Sequence, residues 1–331
     1  DRGSGFVKGT NNVYDDTNTV MMPVSLVEED TGNIYVAYFR GTLNSSVRVY
    51  YKYSTDGGDT WSAESATVSP TIADDMKALR GSILSNDNLY VVWYNDDTNT
   101  LSGNNLLSPD TVDNSIASQA VVYRKTTNGG ASWDSLNVIV THGGTVSVAV
   151  WYDQWTPGDT SGTKIHIAYS DDYTDDYYYT YLDTNGDTHP ATSTPVILGT
   201  AITEAAAGPP SITKGASGNL FLAGTLTTPA GNDVYKSTDG GDTWSDATPS
   251  GWSTVNTDQI QILPLLTGDD IIAIKVQTAS NAIYYQVYDE STNDTWAGSW
   301  TQIAALIENT TYDQWFSATI KKSSGDVYLT F

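Results

Sequence analysis

The chain has 331 residues, 39% of them hydrophobic, which is enough for a large core and too apolar for a wholly disordered protein. Its 39 acidic and 15 basic residues leave a net charge of -24, the opposite of the positive surface that nucleic acids and anionic membranes require. There is no cysteine, so disulfides, zinc–thiolate centres and cysteine nucleophiles are excluded, and no apolar run is long enough to cross a bilayer as a helix.

In chain order, the first predicted strand runs over Val20–Glu29, and Gly5–Gly9 is a further short strand candidate before it. Then comes a short apolar run after a turn, Asn33-Ile34-Tyr35-Val36-Ala37-Tyr38, followed by an alternating strand, Val47–Tyr53. The apolar run recurs as Asn88–Trp93, Lys164–Tyr169, Asn219–Ala223, Asp270–Ile274 and Asp326–Leu329. Near-continuous apolar runs of this length read as strands buried on both faces. Each has a strand before it and most have an alternating strand after it. Helical periodicity is absent, and Ala205–Ala207 before Pro209-Pro210 reads as a linker. The spacing, roughly 50–75 residues, is that of a four-stranded propeller blade with its loops.

The expectation is an all-β, six-bladed β-propeller of four-stranded antiparallel blades forming a single domain over residues 1–331. The blades start near residues 20, 75, 146, 208, 258 and 313, and the last is incomplete at Phe331. Residues 1–19 would supply a closing strand; a continuation of the chain or a second molecule would supply the rest.

A turn motif follows the third strand of several blades. It reads Ser54-Thr55-Asp56-Gly57-Gly58-Asp59-Thr60-Trp61 in the first and Ser237-Thr238-Asp239-Gly240-Gly241-Asp242-Thr243-Trp244 in the fourth. The second blade has a variant with Thr126, Asn128, Gly130 and Trp133; the third has a degraded copy, Asp183–His189; the fifth keeps only Asn293–Trp296. The chemistry is that of a staple. Ser and Asp bond the turn's own N–H groups, Gly permits positive φ, and Trp covers the hairpin and packs between neighbouring sheets.

This motif resembles the Asp-box of the sialidase and BNR-repeat propellers. That resemblance implies the propeller fold, and an activity only if the family's arginine clamp, acid/base aspartate and tyrosine nucleophile are present. Met21 stands where the resemblance puts the first clamp arginine. Arg40 fits the second, but no aspartate follows it in Gly41–Ser46. The chain has only Arg2, Arg40, Arg48, Arg80 and Arg124, so no arginine exists for the later blades. Ordinary exo-sialidase chemistry is therefore not expected.

Other candidates cluster near predicted innermost strands. Tyr152-Asp153-Gln154-Trp155, after Trp151, matches Tyr312-Asp313-Gln314-Trp315, with Asp258 and Asp75 at related places. Together with Arg40 and Arg80, these acids and aromatics are the candidate ligand-binding set for a sugar at the channel mouth. The bland alternative is that they are repeat relics serving the fold. Asp153 and Asp313 are the only carboxylates that suggest catalysis, as a divergent glycoside hydrolase. The Tyr177-Tyr178-Tyr179 run reads as strand alternation, and His142, His166 and His189 have no metal-motif spacing. No cofactor is expected, although Asp-rich turns such as Asp171-Asp172 suit Ca²⁺ chemically. The expected function is non-catalytic: glycan binding, or service as an adhesive or structural module among other copies or surface proteins. The expected location is extracellular or at the cell surface, without membrane insertion.

Overall fold

The computed structural model describes residues 20–27, 31–40, 48–64, 76–83, 88–96, 119–134, 136–141, 145–171, 176–197, 210–227, 230–248, 259–266, 268–277, 282–290, 294–305 and 316–330. These residues are all-β, with one short 3₁₀ turn at Asp153–Trp155 and no α-helix. None forms a helix long and apolar enough to cross a membrane.

Six antiparallel sheets follow one another along the chain. The first contains β1 (Val20–Val27), β2 (Ile34–Arg40) and β3 (Arg48–Ser54). The second contains β4 (Met76–Ile83), β5 (Leu89–Asp96), β6 (Gln119–Thr126) and β7 (Asn137–Thr141). The third contains β8 (Thr145–Tyr152), β9 (Lys164–Asp171), β10 (Asp176–Asp183) and β11 (Thr194–Ile197). The fourth contains β12 (Ser211–Lys214), β13 (Leu220–Thr227), β14 (Ala230–Ser237) and β15 (Ser245–Asp246). In the fifth, β16 (Ile260–Pro264), β17 (Ile271–Gln277) and β18 (Ala282–Asp289) are followed by β19 (Thr295–Trp296) and β20 (Thr301–Ala305). The sixth pairs β21 (Ser317–Ile320) with β22 (Val327–Thr330).

Four strands per sheet is thus the pattern of the second, third and fourth sheets. The described residues give the first sheet three strands and the sixth two. The fifth has five because β19 and β20 both pair with β18, at Tyr288↔Trp296 and Ala282↔Ala305. Its outer strand is split in two, with Gly298 in the gap.

The chain divides into two compact units, Asp1–Ser118 with Val122–Val138, and Gln119–Val121 with Ile139–Phe331. In the first five sheets the second strand is the buried one; the sixth departs from the expectation, with Val327 and Leu329 only partly buried and Tyr328 53% exposed. Tyr35 to Tyr38 are buried in the first unit, and Ile165 to Ser170 and Leu220 to Thr225 in the second. Apolar residues on both faces of a strand leave it no solvent face, so it takes an interior position in its sheet.

The predicted staples close the hairpins as their chemistry requires. Ser54 Oγ accepts from Gly58 N at 2.8 Å, and Asp56 Oδ1 accepts from Thr60 N at 2.9 Å. The same bonds recur from Gly241 N to Ser237 Oγ (2.9 Å) and Thr243 N to Asp239 Oδ1 (2.9 Å). In the variant, Gly130 N donates to Thr126 Oγ1 (3.0 Å) and Ser132 N to Asn128 Oδ1 (2.9 Å). Hydrogen bonds from Thr60 and Thr243, then those from Ser54 and Ser237, hold the Asp56 and Asp239 carboxyls down to about 2.

Each of two staples also receives a tyrosine from another sheet of its own unit. In the first unit the Tyr51 hydroxyl donates to Gly129 O at 3.2 Å, and Trp133 packs edge-on to the Tyr51 ring at 5.5 Å. In the second unit the Tyr179 hydroxyl lies 3.3 Å from Gly240 O, and Trp244 meets the Tyr179 ring at 5.4 Å. Tyr51 lies opposite Ala37 and Tyr179 opposite Ala168, so the two tyrosines hold equivalent places in the repeat. A β-carbon on Gly130 would fall 2.3 Å from Tyr51 Cε1, and one on Gly241 would fall 2.0 Å from Tyr179 Cε1. The second glycine of the turn is therefore needed twice over, for its positive φ and for the ring lying against it. Tyr177 is also buried; its ring lies against Gly224 and its hydroxyl donates to Thr225 O at 3.0 Å. The tyrosine run is core alternation, not an exposed face.

Candidate functional site

The predicted segment Tyr152–Trp155 ends β8 and forms the 3₁₀ turn that leads to β9. Asp153 is its centre and is only 4% exposed. Its Oδ1 receives His166 Nε2 at 2.8 Å and Lys214 Nζ at 2.7 Å, and its Oδ2 receives the backbone N–H of Lys164 at 2.8 Å. Lys214, the last residue of β12, also reaches Asp159 Oδ2 at 2.9 Å. Asp159 is held by the N–H groups of Ser161 (3.1 Å) and Gly162 (2.8 Å). A β-carbon at Gly162 would lie 2.4 Å from Asp153 Cβ, so glycine is what lets the two segments approach.

Burial by itself raises the Asp153 carboxyl, but the His166 and Lys214 contacts overcome it and hold the group well below the usual carboxylate range. Burial drives the His166 imidazole below its ordinary 6.5 despite the aspartate beside it. Neutral His166 donates Nε2–H to Asp153, which leaves Nδ1 to accept from the Tyr179 hydroxyl at 2.8 Å.

Aspartate, histidine and a hydroxyl in line have the form of a proton relay. Here every member is enclosed: His166 and Tyr179 are each 3% exposed, and both Asp153 oxygens are occupied. A relay needs a hydroxyl that a substrate atom can reach. This one is 3.3 Å from Gly240 O, with its ring packed against Gly241. Chemically the cluster is a clamp joining the third sheet to the fourth. Since the unfolded chain takes up a proton at His166 that the folded chain refuses, stability falls as pH drops below 6.5. Urea unfolding at about pH 7.5 and about pH 5.5 should show this slope, and His166→Gln should flatten it.

The neighbouring candidates serve the same clamp. Trp151 Nε1 donates to Thr156 Oγ1 at 3.0 Å, and Thr156 Oγ1 donates to Lys214 O at 2.9 Å. Trp155 meets the rings of Trp151 and Tyr152 edge-on at 5.6 and 6.4 Å. Burial first, then the charges of Asp153 and Asp159, push the Tyr152 hydroxyl up to about 12. Arg40 ends β2 in register with Val20 and Arg48, and Met21 lies opposite Phe39. Arg80 lies in β4 opposite Val92. Asp75, Asp258, Tyr312, Asp313 and Trp315 lie outside the described residues. In chain order Asp313 comes before β21 and Asp153 directly after β8. Among the described residues no group of three or more His, Asp or Glu is arranged to hold a metal ion.

A second feature was not anticipated from sequence. A cleft of about 380 Å³ opens beside the outer strands of the fourth and fifth sheets, lined among others by Lys236, Asp246, Thr248, Gln286, Asp294 and Trp296. Lys236 Nζ contacts Asp294 Oδ1 at 2.6 Å and Glu290 Oε1 at 3.0 Å, and lies over the rings of Tyr288 (5.5 Å) and Phe221 (5.7 Å). Burial alone would lower the Lys236 ammonium, yet the two carboxylates push it up to about 12. Trp296 Nε1 donates across to Ala247 O at 2.7 Å. The only sequence signal here was the surviving staple tail, Asn293–Trp296.

The fold is that of the sialidase-like β-propellers. No protein-family model matches the chain, and no curated protein sequence is similar to it. Solved structures are. The leech intramolecular trans-sialidase, in complex with 2,7-anhydro-Neu5Ac, aligns with TM-score 0.61 at 14% identity over 94% of this chain and 64% of the enzyme. The intramolecular trans-sialidase of Ruminococcus gnavus aligns with TM-score 0.56 at 10% identity over 91% of this chain and 86% of that one. A polysaccharide lyase, the ulvan lyase of family PL25, aligns with TM-score 0.53 at 11% identity over 85% of this chain and 69% of the lyase. At such identities the likeness is one of fold.

Proposed function

We propose that this chain is a six-bladed Asp-box propeller, secreted or displayed at a cell surface, that binds carbohydrate without hydrolysing it. The observation that carries this reading is a sialidase-like fold lacking the sialidase clamp, since no arginine follows Arg124. Sialic acid recognition by a bidentate arginine cluster needs guanidinium groups from several blades, and lysine does not reproduce their forked geometry. Carbohydrate as ligand is supported by the sialidases and the lyase that share the fold. The enclosure of Asp153 weighs against the alternative of a glycoside hydrolase built on that carboxylate. The reading involves no cofactor, and such a module would act by holding glycans or other surface proteins in place.

The test is a glycan array with the purified chain, read beside release assays on sialylated and neutral polysaccharides. The reading expects binding to a defined glycan class with no product released. Absence of binding to any glycan would remove it.

A further inference from the structure

The cleft between the fourth and fifth sheets is where the repeat breaks its own packing rule. At two other places a tyrosine opposite an alanine fills the space over a Gly-Gly turn: Tyr51 at Gly130 and Tyr179 at Gly241. In the fourth sheet the corresponding residue, opposite Ala223, is Val234. In the fifth sheet the turn has lost its Ser and Gly-Gly and keeps only the tail Asn293-Asp294-Thr295-Trp296. Knob and socket are missing together; Val234 packs in a buried cluster with Phe221, Tyr288 and Trp296, and the cleft opens beside Tyr288 and Trp296.

We propose that this cleft is a binding site for a neutral saccharide. The proposal rests on the carbohydrate-binding reading and places it at one site. A sugar ring needs closely spaced donors and acceptors. The cleft exposes the Asp246 and Asp294 carboxylates and the Ser245 and Thr295 hydroxyls, while Lys236, Gln286 and Thr248 line it with partners inside the protein and the buried Trp296 and Tyr288 rings lie beneath it. Asp294 is held at positive φ (50°), and its side chain is 65% exposed at the mouth. Charge sets the class of sugar. Lys236 is already paired with Glu290 and Asp294, and Asp246 adds another carboxylate, so the cleft is net negative. A uronic or sialic acid would meet like charge, whereas a neutral hexose or pentose oligomer would not.

The test uses ligand-observed NMR and titration of the whole chain. The probes are neutral gluco-, galacto-, manno- and xylo-oligosaccharides, sialyllactose, and a lysine-rich peptide. Gly298→Trp is the blocking variant, because Gly298 lines the cleft and a β-carbon there meets open space. Asp246→Ala is the second variant, on an exposed side chain. Neutral oligosaccharides should bind the unmodified chain and weaken at least about tenfold in both variants, with near-ultraviolet circular dichroism unchanged. Equal binding by both variants overturns this site while leaving the general reading intact. Preference for sialyllactose overturns the charge argument, and preference for the peptide keeps the charge but overturns a saccharide as the occupant. No glycan binding by the unmodified chain overturns both.

Discussion

Asp153→Ala should lower the unfolding free energy by about 3–5 kcal/mol, the usual cost of removing one partner from a buried ion pair. The loss strands the buried N–H of His166, the N–H of Lys164 and part of the Lys214 ammonium. Lys214 retains Asp159 at 2.9 Å, which pulls the effect toward the lower end of that range. Asp153→Asn keeps a neutral acceptor oxygen and should cost less. Asp159→Ala should cost less again, because Lys214 keeps Asp153. Urea titration followed by far-ultraviolet circular dichroism measures all three. A loss below about 1 kcal/mol for Asp153→Ala would mean that water relieves the cluster and the clamp assignment is wrong.

The second large effect separates two adjacent glycines. Gly240→Ala meets open space at φ 78°, so its cost is the left-handed backbone alone, about 1–2 kcal/mol. Gly241→Ala has φ 102° and a β-carbon 2.0 Å from Tyr179 Cε1. Overpacking adds about 1–3 kcal/mol to the backbone cost, for a total of about 2–5 kcal/mol. Tyr179→Ala in the same chain should cancel the overpacking part but not the backbone part. A double-mutant cycle measures that coupling. Equal effects at Gly240 and Gly241 would show that the ring does not press on the turn.

The strands and staples were legible because both are local. A short apolar run announces a buried strand, and Ser-x-Asp-Gly-Gly announces a turn that satisfies its own backbone. What the staple touches was not legible. Tyr51 and Tyr179 come from other sheets, and only the alanine opposite each marks the space they use. The role of Asp153 was hidden for the same reason: its partners His166 and Lys214 lie 13 and 61 residues away, with no shared motif. The tetrapeptide match to Tyr312–Trp315 falls on residues outside those described. The cleft was illegible because its lining comes from segments of two sheets about 50 residues apart, Lys236 to Thr248 and Gln286 to Gly298, with no shared motif.

The most direct measurement of the central claim, carbohydrate binding without hydrolysis, pairs binding and turnover on the same glycans. The purified chain is incubated with each glycan it retains on an array and with a fluorogenic sialoside, and released sugar is quantified over time. Retention with no release is the expected result. Release of sialic acid or of a neutral sugar that Asp153→Asn or Asp313→Asn abolishes, with the fold intact, would contradict it.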